Sequence, residues 1–399
     1  MFRYLLPILA LILAGAKLEI THENDKVIIQ AIDECPDVPT PNPDPTPDPN
    51  PNPDPTDKWI QAYYVGYQRG IYPVEAVDFS RITHLTVGRI VPRPDGNITT
   101  NFDINDRDGP AMARALEARA HTAGRKALLM VGGDGAHSGF YGATANNFER
   151  FVSELLRIKN WLNYDGLDLD WEPINQEDKP LLLKLARELK RRDPNILLTV
   201  PIPWVNNNFA QNLDGEFYTN LASIVDRISI MSYHMTGPWG GWYSWHTSAL
   251  TGEKANTPTS ISSSVKAYLA KDVPPGKLQI GVAFYGLCWQ GVTGPNLPAS
   301  NGRIVASDNV ISFANVVRDY YNENLYLYDE AAQMPYLSSS NGIGPRRCNF
   351  LSIDDPVSIR DKGEFIKENN LGGAIIWTVN QGYVNGGNPL LEALSDGVK

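Results

Sequence analysis

Cysteine is nearly absent. The 399 residues contain three, Cys35, Cys288 and Cys348, so at most one disulfide forms within the chain and a disulfide-built scaffold is excluded. Histidine is as sparse, six residues without metal-ligand spacing, and no glycine-rich phosphate loop is present. No metal and no cofactor are expected. Positive charge is in deficit: 35 Lys and Arg against 45 Asp and Glu leave a formal charge of −10. That provides no basic footprint for nucleic acid. It also disfavours a polyanionic substrate, whereas a neutral polysaccharide is indifferent to it. Long apolar runs are missing too; the one near the N-terminus is too short to span a bilayer.

That short run has another use. Met1-Phe2-Arg3 is a basic start, residues 4–13 are apolar, and Ala14-Gly15-Ala16 has the small residues of a cleavage site. Residues 1–16 are expected to be a secretory signal cut after Ala16. No Cys follows the cut, so no lipid anchor is expected, and the mature protein is expected outside the cell and off the membrane. Residues 17–38 form a short stub, in which Val27-Ile28-Ile29 fits a strand with nothing nearby to pair with it. Residues 39–57 carry Pro at nearly every second position among Asn, Asp and Thr. Such a segment cannot pack a core and favours an extended polyproline II spacer.

From about Lys58 to the end, apolar strands alternate with amphipathic helices. Strands are predicted at 62–67, 82–90, 127–131, 166–171, 196–203, 228–233, 278–285 and 373–379. Helices are predicted at 110–123, 148–161, 177–192, 217–224, 260–270 and 358–369. Eight strands in alternation predict a (β/α)8 TIM barrel over 58–399, with an open doubly wound sheet as the alternative. Residues 287–351 are too many for a plain strand-to-helix loop. They hold a helical stretch near 311–321 and strand-like pieces near 325–328, which predicts a small α+β insertion after strand seven.

The chemistry concentrates in Asp165-Gly166-Leu167-Asp168-Leu169-Asp170-Trp171-Glu172. Leu167, Leu169 and Trp171 alternate with Asp168, Asp170 and Glu172, so the three acids share one face of a strand. The strand runs into a helix and so belongs to a parallel sheet covered on both faces. Three inward carboxylates there repel one another and are costly to bury; packing alone would not select them. In a barrel, strand four would end at Glu172, strand six at Met231-Ser232-Tyr233 and strand eight at Trp377, all at one mouth. An acid, a phenol and an indole suit cleavage of a sugar bond: the acid protonates the leaving oxygen, and the indole is a flat apolar floor for a sugar ring. Trp242 and Trp245, in the Gly-rich loop 237–245, are candidates for subsites on the leaving side. Tyr67 at the end of strand one and Gly133 at the end of strand three are further candidate contacts.

The eight-residue stretch resembles the D-x-x-D-x-D-x-E signature of family 18 glycoside hydrolases, the chitinase family. Gly281 to Gly286, Asp329-Glu330, Pro335-Tyr336-Leu337, Ser352-Ile353-Asp354-Asp355 and Gly372-Gly373-Ala374 are also similar to it. The resemblance implies a retaining, substrate-assisted hydrolysis in which the substrate's N-acetyl carbonyl attacks the anomeric carbon. It implies Glu172 as general acid and then base, and Asp170 as the group that orients the acetamide and stabilises the oxazolinium. Asp168 stands behind Asp170 and tunes it, and Tyr233 donates to the acetamido oxygen. The implied partner is chitin or a chitooligosaccharide, acted on by a monomer. The alternatives are an endo-β-N-acetylglucosaminidase or peptidoglycan hydrolase of the same family, and a catalytically dead chitin-binding lectin.

Three places depart from the family pattern: Gly88-Arg89 on strand two, Met130-Val131-Gly132-Gly133-Asp134 on strand three, and His234 after Tyr233. Cys288 directly follows strand seven and Cys348 precedes the return to the barrel. A Cys288–Cys348 disulfide would therefore tie the ends of the insertion together, with Cys35 left over; two buried free thiols are the alternative.

Overall fold

The computed structural model describes residues 18–23, 26–31, 58–206 and 213–399. The chain divides into two units, Met1–Pro51 and Asn52–Lys399. In the first, Leu18–Glu23 and Lys26–Ala31 pair as an antiparallel hairpin, with Ile29 opposite Ile20 and Ile28 opposite Thr21. Val27-Ile28-Ile29 therefore does have a partner strand, contrary to expectation. That partner interleaves Leu18 and Ile20 with Glu19 and Thr21 and makes no continuous apolar run. The signal segment, Cys35 and the 39–57 spacer lie outside the described residues.

The second unit is the barrel. Its strands are β1 (Trp59–Val65), β2 (His84–Pro92), β3 (Lys126–Gly132) and β4 (Gly166–Asp170). They continue as β5 (Leu197–Ile202), β6 (Arg227–Ile230), β7 (Leu278–Ala283) and β8 (Gly373–Trp377). Neighbours pair in parallel, and β1 bonds both β2 and β8. That second pairing closes the sheet, so the architecture is a (β/α)8 barrel and not the open doubly wound sheet.

The surrounding helices are α1 (Asp108–Thr122), α2 (His137–Asn146), α3 (Phe148–Leu162), α4 (Lys179–Arg192), α5 (Gly215–Ile224) and α6 (Ile261–Leu269). α7 (Phe313–Asp319) lies in the insertion, and α8 (Pro356–Glu368) and α9 (Pro389–Val398) follow it. The apolar period does not reveal α2. Its Gly139 and Gly142 lie against the chain leaving β2, where a Cβ would come 2.0 Å from the Pro92 carbonyl oxygen and 2.7 Å from Pro94 Cβ. Small residues replace an apolar stripe because the approach is so close. The sequence reading also omits α9, which packs on α8 where Gly397 meets Gly363.

Strand parity sorts the side chains. Ala62 and Tyr64 of β1, Leu129 and Val131 of β3, and Leu167 and Leu169 of β4 are buried in the layer between sheet and helices. Inside the barrel the middle layer is polar. Gln61 Nε2 donates to Thr86 Oγ1 at 2.9 Å and to Thr199 Oγ1 at 3.2 Å, and Ser229 Oγ donates to Gln279 Oε1 at 2.9 Å. Buried polar groups that satisfy one another can occupy a barrel centre usually filled by branched apolar residues.

The insertion is a five-stranded antiparallel sheet of Leu287–Gln290, Arg303–Ala306, Tyr326–Asp329, Met334–Ile343 and Cys348–Ser352. Cys288 and Cys348 are joined by a disulfide, with Cα atoms 5.1 Å apart, across a sequence separation of 60. Replacing both by Ala should lower stability by up to about 4 kcal/mol in the chain-entropy account. Calorimetry under non-reducing conditions measures it. A loss below ~1 kcal/mol would mean that the sheet alone holds the ends together.

A buried ionic cluster fastens the long chain between β6 and α6 to α8 and the residues that lead into it. Lys362 of α8 and Asp354 are ion-paired with both side chains fully buried. Lys362 Nζ also donates to Ser248 Oγ at 2.9 Å. Asp354 accepts from Ser248 Oγ at 2.6 Å and from Ser358 Oγ at 2.7 Å. Nearby, the buried His246 ring reaches Asp329 at 3.2 Å and Ser352 Oγ at 3.3 Å.

Candidate active site

The acidic strand is anchored at its base. Asp165 accepts from the Ala127 amide at 2.9 Å and from Lys126 Nζ at 2.8 Å, and lies 2.8 Å from His121 Nε2. It clamps β4 to β3 and takes no part in the mouth. At the other end Trp171 turns outward and stacks on Phe140 of α2, with ring centroids 4.8 Å apart. The opposite parity carries Asp168, Asp170 and Glu172 inward.

Asp168 is fully buried. Tyr63 Oη donates to its Oδ2 at 2.8 Å, and Thr199 Oγ1 donates to its Oδ1. Burial pushes its pKa up, and the hydrogen bonds from Thr199, Tyr63 and Gln61 oppose that rise. Asp170 is 3% exposed. Burial, then the charges of Glu172 and Asp168, push its pKa well above the carboxylate range. Glu172 is half-buried. Burial raises its pKa, a hydrogen bond from Asp170 opposes the rise, and the Asp134 charge adds to it. Asp170 and Glu172 act on each other's proton affinity, and burial, the largest cause at each, favours the protonated form of both. The other oxygen of Asp170, Oδ1, is buried without a hydrogen-bond partner.

These groups open into a cavity of about 440 Å³. Asp134, Asp170 and Glu172 line one side; Met231, Tyr233 and His234 enter from the end of β6, Tyr285 from β7 and Trp377 from β8. Pro201 belongs to β5 and Pro203 and Trp204 follow it, and Tyr63 lies with its ring 5.6 Å from that of Trp377. Gly281 makes room for the phenol: a Cβ there would sit 2.7 Å from Tyr233 Cε1. A larger, open hollow of about 530 Å³ in the insertion is lined by Gln290, Arg303 and Asn349 among others, with no carboxylate. Among the described residues no group of three or more His, Cys, Asp or Glu is placed to hold a metal ion. No helix among them is long and apolar enough to cross a membrane.

The sequence candidates Tyr233, Met231 and Trp377 thus meet the acids at one cavity, while four others stand elsewhere. Trp245 is 1% exposed, packs on Ala249, Ala332 and Met334, and donates from Nε1 to the Thr259 carbonyl at 2.8 Å. It is a core residue, because its loop folds back onto the insertion. Trp242 is half-buried against the cluster of Tyr285, Leu287 and Trp289, outside the cavity lining. Tyr67 is 41% exposed and also outside the lining. It sits in a single helical turn, Gly66–Gln68, beyond the end of β1. The Gly133 amide is spent within the protein, donating to the Asp170 carbonyl at 2.7 Å. Gly133 therefore positions Asp170 and does not line the cavity.

Other residues take the places of these four. Trp204 lines the cavity and Trp239, 39% exposed, lies with its ring 6.4 Å away. Trp204 follows strand five and Trp239 follows strand six, but nothing in a loop sequence marks which ring faces out. Tyr63 and Thr199 hold Asp168 and were missed. Parity along β1 and β5 was the available signal: Gln61 and Tyr63 share the inward face.

A barrel mouth that sets a pair of acids, raised in pKa by burial, beside an aromatic, sugar-sized hollow is the equipment of a glycoside hydrolase. The chain belongs to glycosyl hydrolases family 18, whose family model matches residues 60–382. It is 28% identical over 291 residues to Chitinase A1 of Niallia circulans, a match covering 64% of this chain and 40% of that protein. It is 24% identical over 373 residues to a chitinase-like effector of Moniliophthora roreri, covering 81% of this chain and 89% of the effector. In fold it is similar to the Group IV chitinase of Ostrinia furnacalis solved in complex with allosamidin. There the TM-score is 0.70 at 24% identity, over 86% of this chain and 99% of that one.

Proposed function

We propose that this chain is a secreted chitinase that hydrolyses β-1,4 bonds between N-acetylglucosamine units with retention of configuration. The carrying observation is that Asp170 and Glu172 stand together in the cavity lining, both held toward the protonated form by burial, with a buried, unpartnered Asp170 oxygen beside them. That oxygen suits the N–H of an acetamido group. With Asp170 turned to the acetamide, Glu172 keeps the proton and passes it to the glycosidic oxygen. The acetamido oxygen attacks the anomeric carbon as the leaving sugar departs, giving an oxazolinium ion beside the Asp170 carboxylate. Tyr233 donates to the acetamido oxygen, and Trp377 supports the ring. Glu172, now ionised, takes a proton from the incoming water, which opens the oxazolinium from the opposite face.

The similarity to a chitinase-like effector leaves a second reading open, a barrel that binds chitin without cutting it. One experiment separates the readings: incubation with chitotetraose, a high-mannose glycoprotein and cell-wall sacculi, followed by proton NMR. Chitotetraose should be cut, with the β-anomer appearing first. An α-anomer first would end the acetamido mechanism. Binding of chitotetraose without products would favour the lectin, and cutting of the glycoprotein or sacculi alone would move the substrate within the family.

A further inference from the structure

Arg89 of β2 does not line the cavity, yet it reaches two of the elements that build it. Its Nε donates to Asp103 Oδ2 at 3.0 Å, and its Nη1 donates to the carbonyls of Gly132 at 3.1 Å and Asp134 at 3.0 Å. The guanidinium therefore caps the turn at 132–134, and in that turn the Gly133 amide holds the Asp170 carbonyl at 2.7 Å. Only a glycine separates the charge from the acid. With φ +86° at Gly133, a Cβ there would lie 3.5 Å from both Arg89 Nη1 and Asp170 Oδ2.

We propose that Arg89 is a positioning residue for the Asp170–Glu172 pair, bracing the turn beside it and holding a fixed positive charge one glycine away. The proposal rests on the reading of Glu172 as the acid. The groups around the pair are Asp168 on β4, Asp134 in the turn, Tyr63 on β1, Tyr233 after β6 and Tyr285 after β7; Asp103 and Tyr67 face Arg89 itself. Arg89 acts on both Asp170 and Glu172 in favour of the charged form, while Asp134 acts on Glu172 against it. A nearby cation favours carboxylate over carboxylic acid. Without it the pair keeps its proton to higher pH.

Three variants test this through the pH profile of kcat/KM on chitotetraose. Arg89→Gln should move both limbs up by roughly half to one pH unit. Asp103→Asn leaves the guanidinium uncompensated and should move them down. Arg89→Lys keeps the charge but lacks the fork that reaches a carboxylate and two carbonyls. Its limbs should stay in place while kcat falls about tenfold from misplacement. Thermal unfolding checks that each variant folds. Loosened packing alone would not shift two variants in opposite directions. Limbs that stay fixed in Arg89→Gln and Asp103→Asn, or that move together, overturn the proposal. Absence of turnover in the unmodified protein would instead overturn the chitinase reading. Carboxyl ¹³C NMR titration of Asp170 and Glu172 in the same proteins then reads the opposite shifts directly.

Discussion

Glu172→Gln should lower kcat by about 10²- to 10⁴-fold, the usual cost of removing a well-placed general acid, while chitotetraose still binds. The amide matches the carboxyl in shape and fills the same half-buried position at the mouth, but it has no acidic proton to give. It also changes Asp170: with no charge at 172, one of the causes that raise the Asp170 pKa is gone, and Asp170 ionises at lower pH. Product release gives kcat, and calorimetric titration gives Kd. A residual rate above a few per cent of the original would remove Glu172 from the role of acid. Loss of binding with the rate would mean that the carboxyl holds the sugar and does not protonate it.

Lys362→Met should cost about 3–5 kcal/mol of stability, because it leaves Asp354 charged, buried and without its cation. Burial lowers the Lys362 pKa, and the Asp354 charge opposes that change; the pair persists because each member answers the other and two serines complete the shell. The Tm should fall on the order of 5–15 °C. Replacing both partners, Lys362→Met with Asp354→Leu, should recover most of the loss, since a neutral pair of similar volume removes the desolvation penalty. Guanidinium unfolding of the single and double variants reads this. Equal losses in both would assign the cost to packing around Met334, whose Sδ lies 3.5 Å from Lys362 Nζ, and not to the orphaned charge.

The barrel was legible because its signals are local. Each strand is a short apolar run, each helix has its period, and both repeat around the ring. The acid strand was legible for the same reason: alternation over eight residues puts Asp168, Asp170 and Glu172 on one face wherever the strand lies. Loops carry no such rule. Trp239, Trp242 and Trp245 lie within seven residues of one another, and only the path of the chain over the insertion leaves Trp239 exposed and buries Trp245. Helix α2 escaped because closeness to the Pro92–Pro94 backbone, and not an apolar stripe, selected its residues.

The sequence by itself determined the architecture, the face of β4 that carries the acids, and the strand ends that meet them. Those follow from periodicity and chain order, which are properties of neighbours. Tertiary structure alone decided what the acids are. Tyr63 reaches Asp168 across 105 positions and Thr199 across 31, and Arg89 reaches the turn beside Asp170 from two strands away. A carboxyl's proton affinity is set by its burial and by charges within a few ångströms, and those surroundings come from five different strands that only the closed barrel brings together.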